Sequence, residues 1–200
     1  MRFGRTILLT TFISILAIMA GCTQGTSEAR LAQIDSLLER KLYDSARAEL
    51  SRIAPSDLKS EEDIAHYNLQ KTNLCFRNGE VLPNDSMIDI SIKHYRQNGD
   101  KQKLARSLYF KGRTQYDRNE TKNALRNLLE AAGIAKETGD DALKAKIYAS
   151  LAYFNKRLGE NRYALKYIKQ ALKYAEKIKY DKAFLIPGIY MQASDIYGNL

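Results

Sequence analysis

The fold of this chain is decided by one stretch in which the same pattern occurs twice. Residues 101–140 read KQKLARSLYFKGRTQYDRNETKNALRNLLEAAGIAKETGD, and residues 141–180 read DALKAKIYASLAYFNKRLGENRYALKYIKQALKYAEKIKY. The positions that recur forty residues later are Gly99-Asp100 as Gly139-Asp140, Ala105 as Ala145, Gly112 as Ala152, Glu120 as Glu160, Ala124-Leu125 as Ala164-Leu165, Leu128 as Ile168, Ala131 as Ala171 and Ala135 as Ala175. A fixed period of this size indicates stacked structural repeats.

Each copy predicts two helices, A and B, joined by a short turn, because apolar residues recur at three- and four-residue steps. The predicted helices are Lys101–Arg118, Thr121–Thr138, Asp141–Leu158 and Asn161–Ile178, with Gly139-Asp140 ending the second helix and Gly159 in the last turn. Small residues should let the two helices of a pair approach closely. These are Gly112 against Ala124 in the first copy and Ala152 against Ala164 in the second.

These positions form a recognisable motif. It consists of a small residue in helix A (Gly112, Ala152), alanine early in helix B (Ala124, Ala164), a large apolar residue four later (Leu128, Ile168) and alanine three after that (Ala131, Ala171). The motif resembles the tetratricopeptide repeat family. The period is forty residues instead of thirty-four, and the aromatic residue of helix A is displaced to Tyr116 and replaced by Lys156 in the second copy. The resemblance implies an all-α fold, a right-handed solenoid of antiparallel helical hairpins.

The amino terminus predicts export and a lipid anchor. Met1–Gly21 has a basic start, an uncharged apolar core and small residues before Cys22, which is typical of a signal peptide. Met19-Ala20-Gly21-Cys22 resembles the bacterial lipoprotein box, in which the cysteine is acylated, for example with palmitate; an ordinary cleaved signal is the alternative. Thr23 resembles the sorting rule for the outer membrane, so we expect a lipid-anchored protein of the cell envelope that faces the periplasm.

The remaining chain extends the repeats in both directions. We expect the signal peptide at 1–21, a tether at 22–28 and a repeat domain at 29–200, with units at about 29–54, 60–98, 101–138, 141–178 and an incomplete 182–200. Ser60 should cap a helix, His94 should face outward, Cys75 should be a buried structural thiol, and Pro187 should lie in the first turn of the last helix. The turn Pro55–Lys59 and the segment Gly99–Tyr109 also resemble tetratricopeptide lipoproteins of the Bacteroidetes.

Composition narrows the classes of function. The formal net charge is +9, or +7 without Arg2 and Arg5, so anionic partners are expected, although an exported protein is not expected to bind nucleic acid. Two histidines and two cysteines offer no metal-ligand spacing, and no nucleophile or phosphate-loop motif occurs. We therefore expect no enzyme, no metal and no cofactor.

The resemblance implies a ligand groove on the concave face, where the A helices lie. The positions that carry over are Arg106, Tyr109, Arg113, Tyr116, Lys146, Ala149, Tyr153, Lys156 and Arg157. They predict a site for an acidic protein or peptide segment, or for an acidic glycan; a solvated face with packed tyrosines is the alternative. A second basic stripe on the last B helix, at Arg162, Lys166, Lys169, Lys173 and Lys177, predicts a solvated outer face, with contact to an anionic membrane as the other interpretation.

The leading functional hypothesis is a non-catalytic scaffold that binds a protein or peptide partner. One alternative is the periplasmic sensing half of a membrane-spanning transcriptional regulator, which predicts a further apolar run beyond Leu200. Another is an envelope assembly factor, which predicts co-purification with a barrel protein.

Overall fold

The computed structural model describes residues 26–178 and 182–198, and all regular secondary structure within them is helical, as predicted. The helices are α1 (Ser27–Glu39), α2 (Tyr43–Ser51), a 3-10 turn (Pro55–Asp57), α3 (Glu61–Arg77), α4 (Ser86–Asn98), α5 (Lys101–Asp117), α6 (Thr121–Ala135), α7 (Asp141–Arg157), α8 (Asn161–Ala175) and α9 (Lys182–Tyr197). The predicted signal peptide and Cys22 lie outside the described residues. In the described part of the chain, no helix is both long and apolar enough to cross a bilayer.

Side-chain caps set the starts of the odd-numbered helices from α3 to α7. The Ser60 hydroxyl accepts a hydrogen bond from the Asp63 amide at 3.0 Å, which confirms Ser60 as the predicted cap of α3. Asp100 and Asp140 accept amide hydrogen bonds in the same way at the starts of α5 and α7. Because a cap satisfies an otherwise unpaired backbone donor, these recurring acids help to set where each repeat begins.

Several predicted helix ends were wrong. The B helices α6 and α8 end at Ala135 and Ala175, three residues earlier than expected. Gly139 does not end α6, and the left-handed glycines of the described residues are Gly79, Gly99 and Gly159, of which the last occupies its predicted turn. Two further differences concern α1, which begins at Ser27 inside the predicted tether, and Pro187, which lies inside α9 beyond its first turn.

The helices pack in a regular order. Each odd-numbered helix from α1 to α7 packs against the helix that follows it, and it also contacts the next odd-numbered helix. The odd-numbered helices therefore form one continuous layer, which we call the A layer (α1, α3, α5, α7 and α9). Each even-numbered helix contacts the members of the A layer that precede and follow it in the chain, and we call the even-numbered helices the B helices.

Close helix approach depends on small residues, as predicted. Ala124 and Ala164 are fully buried at the contact between the two helices of their pairs. At Gly112 a side chain has no room: a Cβ atom there would lie 2.9 Å from Leu128 Cγ and 3.0 Å from the carbonyl oxygen of Ala124. The spacing between α5 and α6 is therefore set at a position that glycine fills.

The apolar core is divided in two. One cluster joins α1, α2 and one residue of α3, and consists of Leu31, Ile34, Leu38, Ala46, Leu50, Ile53 and Leu74. The other cluster runs continuously from α3 to α9. Polar contacts help to attach the first hairpin to α3. Ser27 Oγ donates to Asp63 at 2.9 Å, and Arg77 donates to the Tyr43 hydroxyl at 2.8 Å.

Candidate functional site

A groove of about 1050 Å³ crosses the A layer, and we call it the inner groove. The first hairpin supplies one end of it, and the segment after α8 together with α9 supplies the other end. The lining residues are Leu38, Glu39, Lys41, Tyr43, Arg77, Arg106, Gly139, Asp140, Asp141, Ala142, Lys146, Lys177, Ile178 and Leu185. A smaller recess of about 110 Å³ shares several of these residues and is also lined by Asp35, Gln70, Asn73, Tyr109, Phe110 and Leu143.

Three of the predicted ligand residues meet in this region. Arg106 and Lys146 line both the groove and the recess, and Tyr109 lines the recess. Arg106 Nη2 lies 3.3 Å from Asp140 Oδ2, so its guanidinium forms a long ion pair and is held at the groove surface. Tyr109 is only 7% exposed, so it can present little more than the edge of its ring to a ligand.

Two predicted ligand residues serve packing between helices. Arg113 donates to Ser150 Oγ at 3.0 Å, and its guanidinium carbon lies 4.8 Å from the Phe76 ring centre and 5.6 Å from that of Phe154. Tyr116 stacks in parallel on Phe154 with ring centres 3.6 Å apart. These contacts join α3, α5 and α7, which explains why basic and aromatic residues occur here without lining the groove.

The remaining predicted residues lie towards the carboxyl end of α7. Tyr153 is partly exposed and meets Tyr116 edge-on, Lys156 pairs with Asp195 of α9, and Arg157 is exposed. Ala149 is buried. The predicted set therefore divides between the inner groove, the contacts between helices and the end of α7, and it does not form one continuous surface.

The sequence interpretation missed a polar row that lies along the groove side of α3. Gln70 donates to Asp35, whose other oxygen lies 2.9 Å from His66 Nε2. Asn73 donates to Gln70 at 3.4 Å and accepts from Arg77 at 2.8 Å. These residues belong to the first two units, which depart most from the repeat pattern, so the forty-residue period did not predict them.

Carboxylates also line the groove, although a basic surface was expected. Three of them are occupied by the protein itself. Asp35, which lines the smaller recess, contacts His66 and Gln70. Asp140 caps α7 and pairs with Arg106, and Asp141 lies 2.8 Å from Lys144 Nζ. Glu39 lines the groove as well, so its walls carry side chains of both signs. The basic ones are in the majority (Lys41, Arg77, Arg106, Lys146 and Lys177).

His94 does not face outward, contrary to the prediction. It is buried between α3 and α4, with Nε2 2.8 Å from Glu62 Oε2, and Lys103 donates to the other Glu62 oxygen at 2.6 Å. Burial alone would raise the pKa of Glu62, but the hydrogen bonds from Lys103 and His94 outweigh it and lower that pKa. These hydrogen bonds join α3, α4 and α5.

Cys75 is half-buried beside Glu80, and burial together with that carboxylate raises the pKa of its thiol to about 11. A thiol with so high a pKa is a poor nucleophile at neutral pH. Among the described residues, no group of three or more His, Cys, Asp or Glu side chains is placed to hold a metal ion.

Comparison with known proteins gave no match to a family model, to a curated protein or to a solved structure, so the inner groove is interpreted from its own residues.

Proposed function

We propose that this chain is a non-catalytic scaffold of the tetratricopeptide repeat type, which holds a protein or peptide ligand in the inner groove. In this proposal the helical hairpins are antiparallel and stack as a right-handed solenoid. A lipid on Cys22 anchors the protein to the cell envelope, at the outer membrane and facing the periplasm. The observation that carries the proposal is the groove itself, which crosses the A layer from the first hairpin to α9.

The packing order supports a repeat architecture. In a stacked array, each unit contacts its neighbours only, and one type of helix lines one surface. Here α1, α3, α5, α7 and α9 contact one another in sequence, and each B helix contacts its own partner and the following odd-numbered helix. The recurrence of Asp100 as Asp140, both as helix caps, adds a local device that repeats with the same period.

The shape of the groove suits an extended ligand. Neighbouring packed helices lie about 9 Å apart, so a path across the A layer from α1 to α7 is roughly 30 Å long. An extended peptide covers that distance with about nine residues. The lining combines Arg77, Arg106 and Lys146 with Tyr43, and arginine and tyrosine are enriched among the residues that dominate binding energy at protein interfaces.

A randomised peptide library tests this proposal with the full chain as bait. The wild-type chain should enrich sequences that carry Asp or Glu. Arg106→Gln with Lys146→Gln should lose that enrichment and weaken selected peptides about tenfold or more, because charge-assisted hydrogen bonds contribute about 1.5–3 kcal/mol each. Glutamine is chosen because it does not place a new charge beside Asp140.

The matched control is Lys59→Gln with Lys136→Gln, which removes the same charge at two exposed positions outside the groove. This control should bind selected peptides as the wild type does. If the groove variant retains both the enrichment and the affinity, the inner groove is not the binding site. Arg113 is unsuitable for this test, because its contacts with Phe76, Ser150 and Phe154 would link binding to stability.

A further inference from the structure

The outward face of α8 carries four cations in one row, which we call the α8 basic row (Arg162, Lys166, Lys169 and Lys173). At about 100° per residue these four positions fall within an arc of about 60°. All four are exposed, whereas the buried residues of α8 lie on the opposite side. Because α8 packs against α7 and α9 through that buried side, the row points away from the A layer.

Lys177, the fifth residue of the predicted stripe, does not belong to this row. It follows the end of α8 at Ala175, and its ammonium lies 5.6 Å from the centre of the Tyr174 ring. It also lines the inner groove. The continuous surface is therefore confined to the four residues of the helix.

The α8 basic row has few acidic neighbours in the sequence. The segment Asn161–Ala175 contains no Asp or Glu, and the nearest acids in the sequence, Glu160 and Glu176, flank its two ends. In the described part of the chain, none of the four side chains forms an ion pair, although thirteen other contacts between a Lys or Arg and a carboxylate occur there. The preceding B helix differs, because its Glu130 pairs with Arg96 of α4.

Large apolar groups flank the row at the amino end of α8. Tyr163 is 53% exposed and Leu158 is 52% exposed. Tyr163 also lines a shallow surface depression together with Arg162, Lys166 and one acidic residue, Glu160. Tyrosine is favoured at the level of lipid head groups, where its ring is in a partly apolar layer and its hydroxyl stays hydrated.

We propose that the α8 basic row binds the surface of a bilayer that contains anionic phospholipid. Three of its four cations are lysines, whose ammonium groups act as compact point charges and suit a diffuse field better than a planar, bidentate contact. The exposed Tyr163 and Leu158 favour a lipid surface over an acidic polysaccharide, which offers no apolar layer. The site is independent of the inner groove, and binding there leaves the groove open.

Vesicle sedimentation with the full chain tests this site. Vesicles of phosphatidylcholine alone are compared with vesicles that also contain phosphatidylglycerol, at low and at high salt. A variant with Gln at Arg162, Lys166, Lys169 and Lys173 should lose about a hundredfold or more of its binding to anionic vesicles, since each cation near such a surface contributes about fivefold. Its binding to neutral vesicles should not change, because the substitutions remove charge only and leave Tyr163 and Leu158 in place.

The matched control places Gln at Arg40, Lys59, Lys93 and Lys136, which are exposed on other elements. It removes the same charge and should lose less than about tenfold. Equal losses in the two variants would show that only net charge matters and would overturn the proposal, as would an unchanged α8 variant. Loss of binding to an acidic polysaccharide, with vesicle binding intact, would assign the row to a glycan instead.

Discussion

Replacing Gly112 by alanine tests the close contact between α5 and α6. A Cβ atom at this position would lie 2.9 Å from Leu128 Cγ, 3.0 Å from the carbonyl oxygen of Ala124 and 3.2 Å from Leu128 Cδ2. The Leu128 side chain is fully buried, and the carbonyl belongs to the backbone of α6, so neither group can move freely. We expect α5 and α6 to be forced apart locally.

The expected magnitude is the balance of two opposing terms. Inserting a methyl group into a well-packed contact costs about 1–3 kcal/mol. Replacing glycine by alanine inside a helix gains about 0.8–1.0 kcal/mol. The net change should therefore lie between about 0 and 2 kcal/mol of destabilisation. For a domain of this size, each 1 kcal/mol corresponds to a change in melting temperature of about 2–4 °C.

The chain contains a matched control. Gly133 lies in α6, and a Cβ atom there would meet no atom within 4 Å. Gly133→Ala should therefore show the helix gain alone and raise the stability by about 0.5–1 kcal/mol. Thermal unfolding followed by circular dichroism compares the two variants, and the difference between them isolates the contact. If Gly112→Ala raises the melting temperature as much as Gly133→Ala does, the close approach of α5 and α6 is refuted.

Two further predictions concern titratable groups. In a Cys22→Ser background, Cys75 should react with a disulfide reagent at pH 8 about two orders of magnitude more slowly than a free thiol, because its pKa is about 11. Glu80→Gln should speed the reaction. A plot of rate against pH with its inflection near about pH 8.5 would contradict the structure. Burial alone would raise the pKa of Asp63, but hydrogen bonds from Ser27 and Ser60 lower it. The Asp63 carboxylate therefore stabilises the fold above the unfolded-state pKa, and this contribution is lost as the pH falls through the folded-state pKa. Asp63→Asn should accordingly be less stable than the wild type at pH 6 by about 1–2 kcal/mol. The difference in stability should begin to shrink below about pH 4 and disappear below the folded-state pKa; a difference that stays constant with pH would disprove this role.

The sequence predicted those features that depend on local pattern. The all-α fold, the cap at Ser60, the left-handed turn at Gly159 and the contact at Gly112 each follow from a few neighbouring residues or from the forty-residue period. Such features are visible in a sequence because helix periodicity and capping act over one or two turns.

The features that the sequence did not predict depend on partners far away in the chain. His94 was expected to face outward, but it contacts Glu62 of α3. The contacts of Arg113 with Phe76 and Phe154 were also not visible in the local pattern. Periodicity identifies which face of a helix is apolar, but it does not tell which polar residues at the edge of that face contact the next repeat. Local periodicity therefore could not separate the residues that line the groove from those that join neighbouring helices.

The divided core has a consequence for how the groove responds to force. The first hairpin has its own apolar cluster and helps to form the groove through Leu38, Glu39 and Tyr43. Tension applied at the amino terminus would act on this hairpin first, and its detachment would remove one wall of the groove. A ligand that contacts both walls binds only when the hairpin is attached, so it stabilises the attached state. A bound ligand would therefore raise the force at which the hairpin detaches. Pulling the hairpin away would in turn release the ligand.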